Sequence, residues 1–151
     1  MSGLEAAALK VLGLDNLLIE SEQNSSTAEG SRIIELIRRG LPVASALRVA
    51  HFYNASNEEL SVLLGTSERT LSRRKREAKS LAPTESNRLY QLARIAARAQ
   101  EVFEDTEIAR RWFRRPNRAL GGAVPFNMLD TDMGAEEIDQ VLTRIEYGIY
   151  S

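Results

Sequence analysis

Hydroxyl and basic side chains surround a single leucine in one run of this sequence, SERTLSRRKR at residues 67–76. An arginine can bond to both acceptors on the major-groove edge of a guanine, and serine or threonine can bond to any base. Arginine and lysine also attract phosphate whatever the base sequence. On a helix that enters a DNA groove, these residue types would therefore bind DNA.

The residues around the start of this run have the spacing of a helix-turn-helix motif. Such a motif needs a short helix, a tight turn and a second helix that enters the major groove. Leu60, Leu64 and Leu71 are spaced to form the small core between the two helices. Ser61 is small enough for close approach, and Gly65 lies at the turn, where a positive φ is expected. The sequence therefore predicts a helix-turn-helix whose second helix is the basic run.

The position of each side chain along that second helix suggests what it contacts. Thr66 or Ser67 is expected to cap the helix. Residues near the N-terminus of a recognition helix face base edges, whereas later ones suit phosphates. The predicted base contacts are Ser67, Arg69, Thr70 and Arg73. The predicted phosphate contacts are Arg74, Lys75 and Arg76.

The net charge of −1 conceals a separation of charge along the chain. Residues 66–98 hold nine basic and three acidic side chains, a net charge of +6. Residues 124–151 hold six acidic side chains and a single arginine, a net charge of −5. A basic middle and an acidic end are typical of a protein with two different partners, although solvated helix faces would give the same pattern.

Helical periodicity recurs along the chain and no stretch alternates as a strand does, so we predict an all-α fold. The expected helices cover residues 4–19, 32–39, 42–53, 58–64, 67–79, 84–103, 107–114 and 134–147. Asp105 or Thr106 is expected to cap the seventh of them, and the polar stretch 21–31 indicates a linker. The predicted units are an N-terminal helix with its linker (1–30), a helix-turn-helix domain (31–82) and a helical C-terminal domain (83–151).

Few residues could support catalysis or hold a metal ion. The chain has no cysteine and a single histidine, His51, so a metal cluster or a Ser-His-Asp triad is hard to build. Gly121 and Gly122 lack the preceding strand and the following lysine of a phosphate-binding loop. We therefore expect neither an enzyme nor a bound cofactor. No apolar run reaches the roughly 18 residues of a membrane span and no signal peptide is evident, which favours the cytoplasm.

Two groups of motifs resemble one known family. GLPV at 40–43 and LLGTSERTLSRRK at 63–75 are similar to the helix-turn-helix half of Xre/MbcA/ParS antitoxins. WFRRPNRALGG at 112–122 and the closing RIEYGIYS at 144–151 are similar to the toxin-binding half of that family. The resemblance extends over residues 36–151 and leaves the N-terminal helix and linker uncovered.

The resemblance implies a function that spacing alone does not reveal. Antitoxins of this kind pair with RES-domain toxins, which degrade NAD⁺, bury their C-terminal tail in the toxin's active site and repress their own operon. The residues that would inhibit the toxin here are Tyr147, Gly148, Ile149, Tyr150 and Ser151. An Ile-Tyr tail offers apolar anchor area, and an acidic last helix suits a basic nucleotide pocket on the partner.

An alternative hypothesis keeps the helix-turn-helix but not the toxin. The chain would then be a plain repressor whose C-terminal domain only dimerises or senses a ligand. The separation of charge and the tyrosine near the C-terminus favour the antitoxin. Either protein is expected to be a homodimer, because one helix-turn-helix reads a half-site and a two-fold pair doubles the contact. The helix at 4–19 or the long helix at 84–103 could form the interface.

Overall fold

Helices make up the regular structure of the computed structural model, which describes residues 3–16 and 26–148, without the side chains of 26–29. Over these residues the α-helices are α1 (Gly3–Val11), α2 (Ser26–Arg39), α3 (Val43–Tyr53), α4 (Asn57–Leu64), α5 (Glu68–Glu77), α6 (Pro83–Phe103), α7 (Thr106–Phe113) and α8 (Asp132–Glu146). Two 3-10 helices, Arg118–Leu120 and Pro125–Met128, lie between α7 and α8. No described residue belongs to a strand, and an isolated bridge joins Pro42 to Ser80. The all-α prediction is confirmed.

The long helix α6 is the element around which the other helices assemble. Its apolar residues recur at intervals of three and four, which gives one continuous buried face. Leu89, Leu92, Ala93 and Ala96 all lie on that face and are buried. The six helices α1, α2, α3, α4, α7 and α8 pack against α6. One hydrophobic core therefore runs from the N-terminal helix to the C-terminal one.

The first helix is shorter than the sequence predicts. The expected helix covered 4–19, but α1 ends at Val11 and residues 12–16 are not helical. Gly13 adopts a φ of +74°, and the Leu14 N–H donates to the Leu9 carbonyl over 2.8 Å. This bond satisfies a carbonyl near the end of the helix, and the positive φ of Gly13 stops the helix there. Residues 17–19 of the predicted helix lie outside the described residues.

The second helix is longer than the sequence predicts. The polar stretch 21–31 was expected to be a linker and the helix to begin at Arg32, but α2 begins at Ser26. Ile33 is buried, and α2 packs against α6. Once that packing has nucleated a helix, each added residue gains a hydrogen bond at little further cost, so polar residues extend it. Residues 21–25 of the expected linker lie outside the described part of the chain.

Aromatic rings fill the core where α7 meets α3. Phe113 is fully buried, and its ring lies edge-on to Tyr53 with centroids 4.9 Å apart. Trp112 is half-buried and packs on Phe103. Asp105 caps α7, because its Oδ1 accepts the Ile108 N–H over 2.8 Å. The sequence predicts either Asp105 or Thr106 as the cap, and in the structure the cap is Asp105.

The start of α8 depends on a glycine. Thr131 caps the helix by accepting the Gly134 N–H over 3.0 Å. A Cβ atom at Gly134 would overlap the carbonyl oxygen of Met128 in the preceding 3-10 helix. Only a residue without a side chain lets the two elements meet so closely. α8 is thereby seated on the core, and its Ile138 and Leu142 are fully buried.

Candidate nucleic-acid interface and C-terminal surface

The turn between α4 and α5 has the geometry that the sequence predicts. Leu60, Leu64 and Leu71 are all buried between the helices. Gly65 follows α4 with a φ of +71°, a conformation that glycine adopts without strain. Ser67 caps α5, because its Oγ accepts the Thr70 N–H over 3.0 Å. The pair α4–α5 therefore forms the helix-turn-helix, with α5 as its second helix.

The candidate base contacts differ in how free their side chains are. Arg69 and Arg73 are exposed and four residues apart, so they lie on one face of α5. Ser67 is exposed and Thr70 is half-buried, and the Ser67 hydroxyl donates to the Thr70 hydroxyl over 2.9 Å. The two hydroxyls are thus engaged in capping the helix. Arg69 and Arg73 are therefore the candidate base contacts whose exposed side chains are not used in capping the helix.

The three candidate phosphate contacts differ in how exposed their side chains are. Arg76 is exposed on α5. Lys75 is half-buried and its Nζ donates to the Asn57 Oδ1 at the start of α4. Arg74 forms an ion pair with Glu85 and its side chain is only 17% exposed. The structure therefore places Arg74 in an internal ion pair, and its phosphate contact stays a prediction.

Helical spacing explains why Arg74 is turned inward. It follows the buried Leu71 by three residues, so the two share a face of α5. Glu85 lies at the start of α6, is 7% exposed, and accepts the Ala82 N–H over 2.8 Å as well as the arginine. A buried carboxylate needs such partners, because an unpaired one is costly. The sequence carries no local signal for this pair, since a turn separates the two helices.

Two arginines, Arg110 in α7 and Arg114 directly after it, hold the C-terminal end of α3. The Arg110 Nε donates to the Phe52 carbonyl over 2.8 Å, and one of its terminal nitrogens donates to the His51 carbonyl over 3.0 Å. The Arg114 Nε donates to the Tyr53 carbonyl over 2.9 Å. Carbonyls in the last turn of a helix lack partners within it and carry partial negative charge, so cations stabilise them. Sequence reasoning missed both arginines, because their partners lie about sixty residues away.

Arg114 also binds the first helix of the helix-turn-helix. Its terminal nitrogens lie 3.1 and 3.2 Å from the two carboxylate oxygens of Glu59, and one donates to the Asn54 carbonyl over 2.8 Å. Its guanidinium carbon lies 3.7 Å from the centre of the Phe126 ring. Glu59 in turn accepts the Ser56 N–H over 3.0 Å, which completes a capping box at the start of α4. The Arg114 guanidinium and these hydrogen bonds hold the pKa of the Glu59 carboxyl below its usual value.

The sequence does contain a signal for that cap. Ser56 and Glu59 have the S-x-x-E spacing of a capping box, directly before the apolar residues of α4. The predicted helix began at 58, whereas α4 begins at Asn57 with Ser56 as its cap. The sequence gives no indication that Arg114 also bonds to Glu59.

The C-terminal helix leads to an exposed tyrosine. An ion pair between Arg98 and Glu146 ties the end of α8 to α6. Tyr147 follows directly and is 72% exposed. It and Gly148 are the only residues of the predicted tail that the structure describes. The other residues predicted to bind a toxin lie outside the described residues and are Ile149, Tyr150 and Ser151.

Within 3–16 and 26–148, no group of three or more histidine, cysteine, aspartate or glutamate side chains could hold a metal ion. Among the helices of those residues, none is long and apolar enough to cross a membrane.

Comparison with known families identifies both parts of the chain. Residues 32–94 match the antitoxin Xre-like helix-turn-helix domain. Residues 98–148 match the antitoxin Xre/MbcA/ParS C-terminal toxin-binding domain. Together with the α4–α5 geometry, these matches define a helix-turn-helix antitoxin. The chain belongs to the Xre/MbcA/ParS antitoxin family.

Several curated relatives have corresponding names. The chain is 29% identical over 126 residues to the protein named Antitoxin Xre from Photorhabdus laumondii, covering 83% of this chain and 85% of the relative. It is 35% identical over 80 residues to Antitoxin Xre from Pseudomonas putida, covering 53% and 50%. It is 22% identical to the Prs ADP-ribosylating antitoxin from a Sphingobium species, covering 78% and 80%. The protein is thus an antitoxin of a toxin–antitoxin system.

The two matched regions meet inside one helix. We call residues 32–94 the helix-turn-helix region and residues 98–148 the toxin-binding region. The junction at 94–98 falls within α6, so both regions share that helix. Glu59 lies in the first region and Arg114 in the second. Their ion pair is therefore a direct contact between the two regions.

Proposed function

We propose that this antitoxin neutralises a RES-type toxin that degrades NAD⁺, by placing its C-terminal tail in the toxin's active site. The observation that carries the proposal is the exposed Tyr147 at the end of a firmly seated helix. Residues 147–151 are the proposed inhibitory segment. The same protein represses its own operon by binding operator DNA through α5.

The seating of α8 supports a role for the segment that follows it. Ile138 and Leu142 anchor the helix in the core, while Glu136 and Glu137 are exposed on it. A tyrosine presented from a rigid element offers a large contact area at a small entropic cost. Exposed carboxylates on the same helix complement the basic pocket that a toxin would need for a dinucleotide phosphate.

The relatives support the chemistry of the proposed partner. One relative has ADP-ribosylation in its name, and ADP-ribosylation consumes NAD⁺. A RES-type toxin acts on the same dinucleotide. The family match favours an antitoxin over a plain repressor, because residues 98–148 correspond to a domain described by toxin binding.

The exposed arginines of α5 support the proposed repression. Arg69, Arg73 and Arg76 extend from one helix whose N-terminus is capped and whose inner face is buried. In a helix-turn-helix, such a helix enters the major groove. We propose that a homodimer presents two copies of α5 to the two half-sites of one operator.

A growth experiment tests the proposal in cells. The protein encoded by the neighbouring gene is expressed alone, with this antitoxin, and with the antitoxin lacking 149–151, while cellular NAD⁺ is followed. We expect the neighbour alone to stop growth and deplete NAD⁺, and only the intact antitoxin to prevent both. The Arg69→Ala/Arg73→Ala variant is the matched control, since it leaves the tail intact and should rescue growth. Rescue by the truncated chain would contradict the role of the tail, and a harmless neighbour would contradict the toxin.

A further inference from the structure

The guanidinium of Arg114 bonds to protein acceptors through all three of its nitrogens. It makes four hydrogen bonds, to the carbonyls of Tyr53 and Asn54 and to both carboxylate oxygens of Glu59. One of its faces covers the Phe126 ring. A guanidinium has five N–H donors in a fixed plane, so this geometry fixes the position of the whole group.

All of its hydrogen-bond acceptors surround the start of the helix-turn-helix. Tyr53 ends α3, Asn54 turns the chain, and Glu59 lies in the first turn of α4. The Arg114 side chain therefore fixes both the end of one helix and the entry of the next. Arg110 adds two bonds to α3 one turn earlier on α7.

The position of α4 is passed on to the recognition helix α5. α4 and α5 pack against each other through Leu60, Leu64 and Leu71. The Lys75 Nζ bonds to Asn57 in the first turn of α4. A shift of α4 would therefore move the exposed arginines of α5 relative to the groove that they are proposed to read.

We propose that Arg114 is a positioning residue for operator binding, through which the toxin-binding region sets the orientation of the helix-turn-helix. The inference rests on the proposed DNA binding. Arg114 acts through Glu59 and the α3 carbonyls, and it does not touch DNA itself. The toxin-binding region then contributes to operator recognition as well as to toxin binding.

The test compares three variants of the full chain by their affinity for two DNA duplexes. One duplex carries the sequence upstream of the antitoxin's own operon, and the other is an unrelated sequence of equal length. Arg114→Ala removes all the bonds. Glu59→Gln keeps an acceptor for the Ser56 N–H but removes the ion pair. Arg111→Ala removes an equal charge from an exposed position of the same helix and is the matched control.

The expected result separates positioning from a direct contact. Arg114→Ala should weaken binding to the upstream duplex about tenfold, and Glu59→Gln should weaken it in the same direction. Binding to the unrelated duplex should not change. The slope of log affinity against log salt should stay at the wild-type value, because no phosphate contact is lost. Arg111→Ala should bind both duplexes as the wild type does.

Circular dichroism at the assay temperature shows whether each variant is folded. A folded Arg114→Ala protein with wild-type affinity would overturn the inference, and so would a shallower salt slope, which indicates a lost phosphate contact. If Arg114→Ala does not fold, a folded Glu59→Gln protein that binds as the wild type would overturn it equally. A wild-type chain that shows no preference for the upstream duplex would overturn the proposed repression and this inference together, without affecting toxin neutralisation.

Discussion

Arg74 of the recognition helix and Glu85 of the long helix α6 form an ion pair that is largely removed from water, with side chains 17% and 7% exposed. Glu85 also closes the start of α6 by accepting the Ala82 N–H. The pair ties the second helix of the helix-turn-helix to the element around which the whole core assembles. From its place in the basic run 67–76, Arg74 was expected to contact DNA.

Removing one member of this pair should be more harmful than removing both. Arg74→Met leaves a buried carboxylate without its charge partner, and the loss in unfolding free energy should approach the roughly 3–5 kcal/mol typical of such changes. Arg74→Met with Glu85→Gln should lose less, because no unpaired charge stays buried. Urea denaturation of both variants measures the difference. Equal losses in the two variants would show that leaving Glu85 without its charge partner carries no penalty.

Acid should weaken the contact between the two regions. The pKa of Glu59 is lower in the folded protein than its ordinary value of 4.5, chiefly because Arg114 donates hydrogen bonds to it. A lowered folded-state pKa means that the stabilisation is complete above about 4.5 and is lost as pH falls through the folded-state pKa. The unfolding free energy of the wild type should therefore fall in this range more steeply than that of Glu59→Gln. Parallel pH profiles for the two proteins would show that Glu59 makes no such contribution.

The exposed arginines of α5 should separate into two kinds by their salt dependence. Arg73→Ala should weaken operator binding by about 1–3 kcal/mol and relax the preference for operator, if the side chain contacts a base. Arg76→Ala should weaken binding to all DNA and reduce the salt slope by about 0.9. Fluorescence anisotropy at several salt concentrations measures both effects. Unchanged operator affinity in Arg73→Ala would remove it from the interface.

Two glycines should respond in opposite ways to alanine. Gly134→Ala forces a Cβ against the Met128 carbonyl and should destabilise the protein by about 1–3 kcal/mol, as overpacking does. Gly30 lies inside α2 with open space where a Cβ would be, so Gly30→Ala should stabilise it by about 0.5–1 kcal/mol. Thermal unfolding measures both. A lower melting temperature for Gly30→Ala would contradict the account of α2, and an unchanged one for Gly134→Ala would contradict the account of α8.

The features that could be predicted from the sequence are the ones determined by nearby residues. The leucine spacing and the turn at Gly65 depend on side chains within a few positions and are as expected, and the cap at Asp105 is one of the two alternatives that the sequence predicted. The two helix ends that were wrong by six residues or more, at Val11 and Ser26, depend on a glycine stop and on packing against α6.

The ion pairs that sequence reasoning did not find join residues in different elements of the fold. Arg74 meets a glutamate beyond a turn, and Arg114 meets Glu59 across 55 positions. A single sequence carries no record of such pairs, because charge and periodicity are the same whether an arginine faces a carboxylate or a phosphate. The exposed basic side chains of α5 could therefore be predicted, but the inward position of Arg74 could not.

We propose that the tail occupies the NAD⁺ site of a toxin, and steady-state inhibition tests this most directly. The purified product of the neighbouring gene is assayed for NAD⁺ consumption over a range of NAD⁺ and antitoxin concentrations, with Arg69→Ala/Arg73→Ala as a control that retains the tail. We predict that inhibition weakens in proportion as NAD⁺ rises above its KM, and that removing 149–151 weakens inhibition about thirtyfold or more. Inhibition that is independent of NAD⁺, or undiminished in the truncated chain, would contradict occlusion of the active site by the tail.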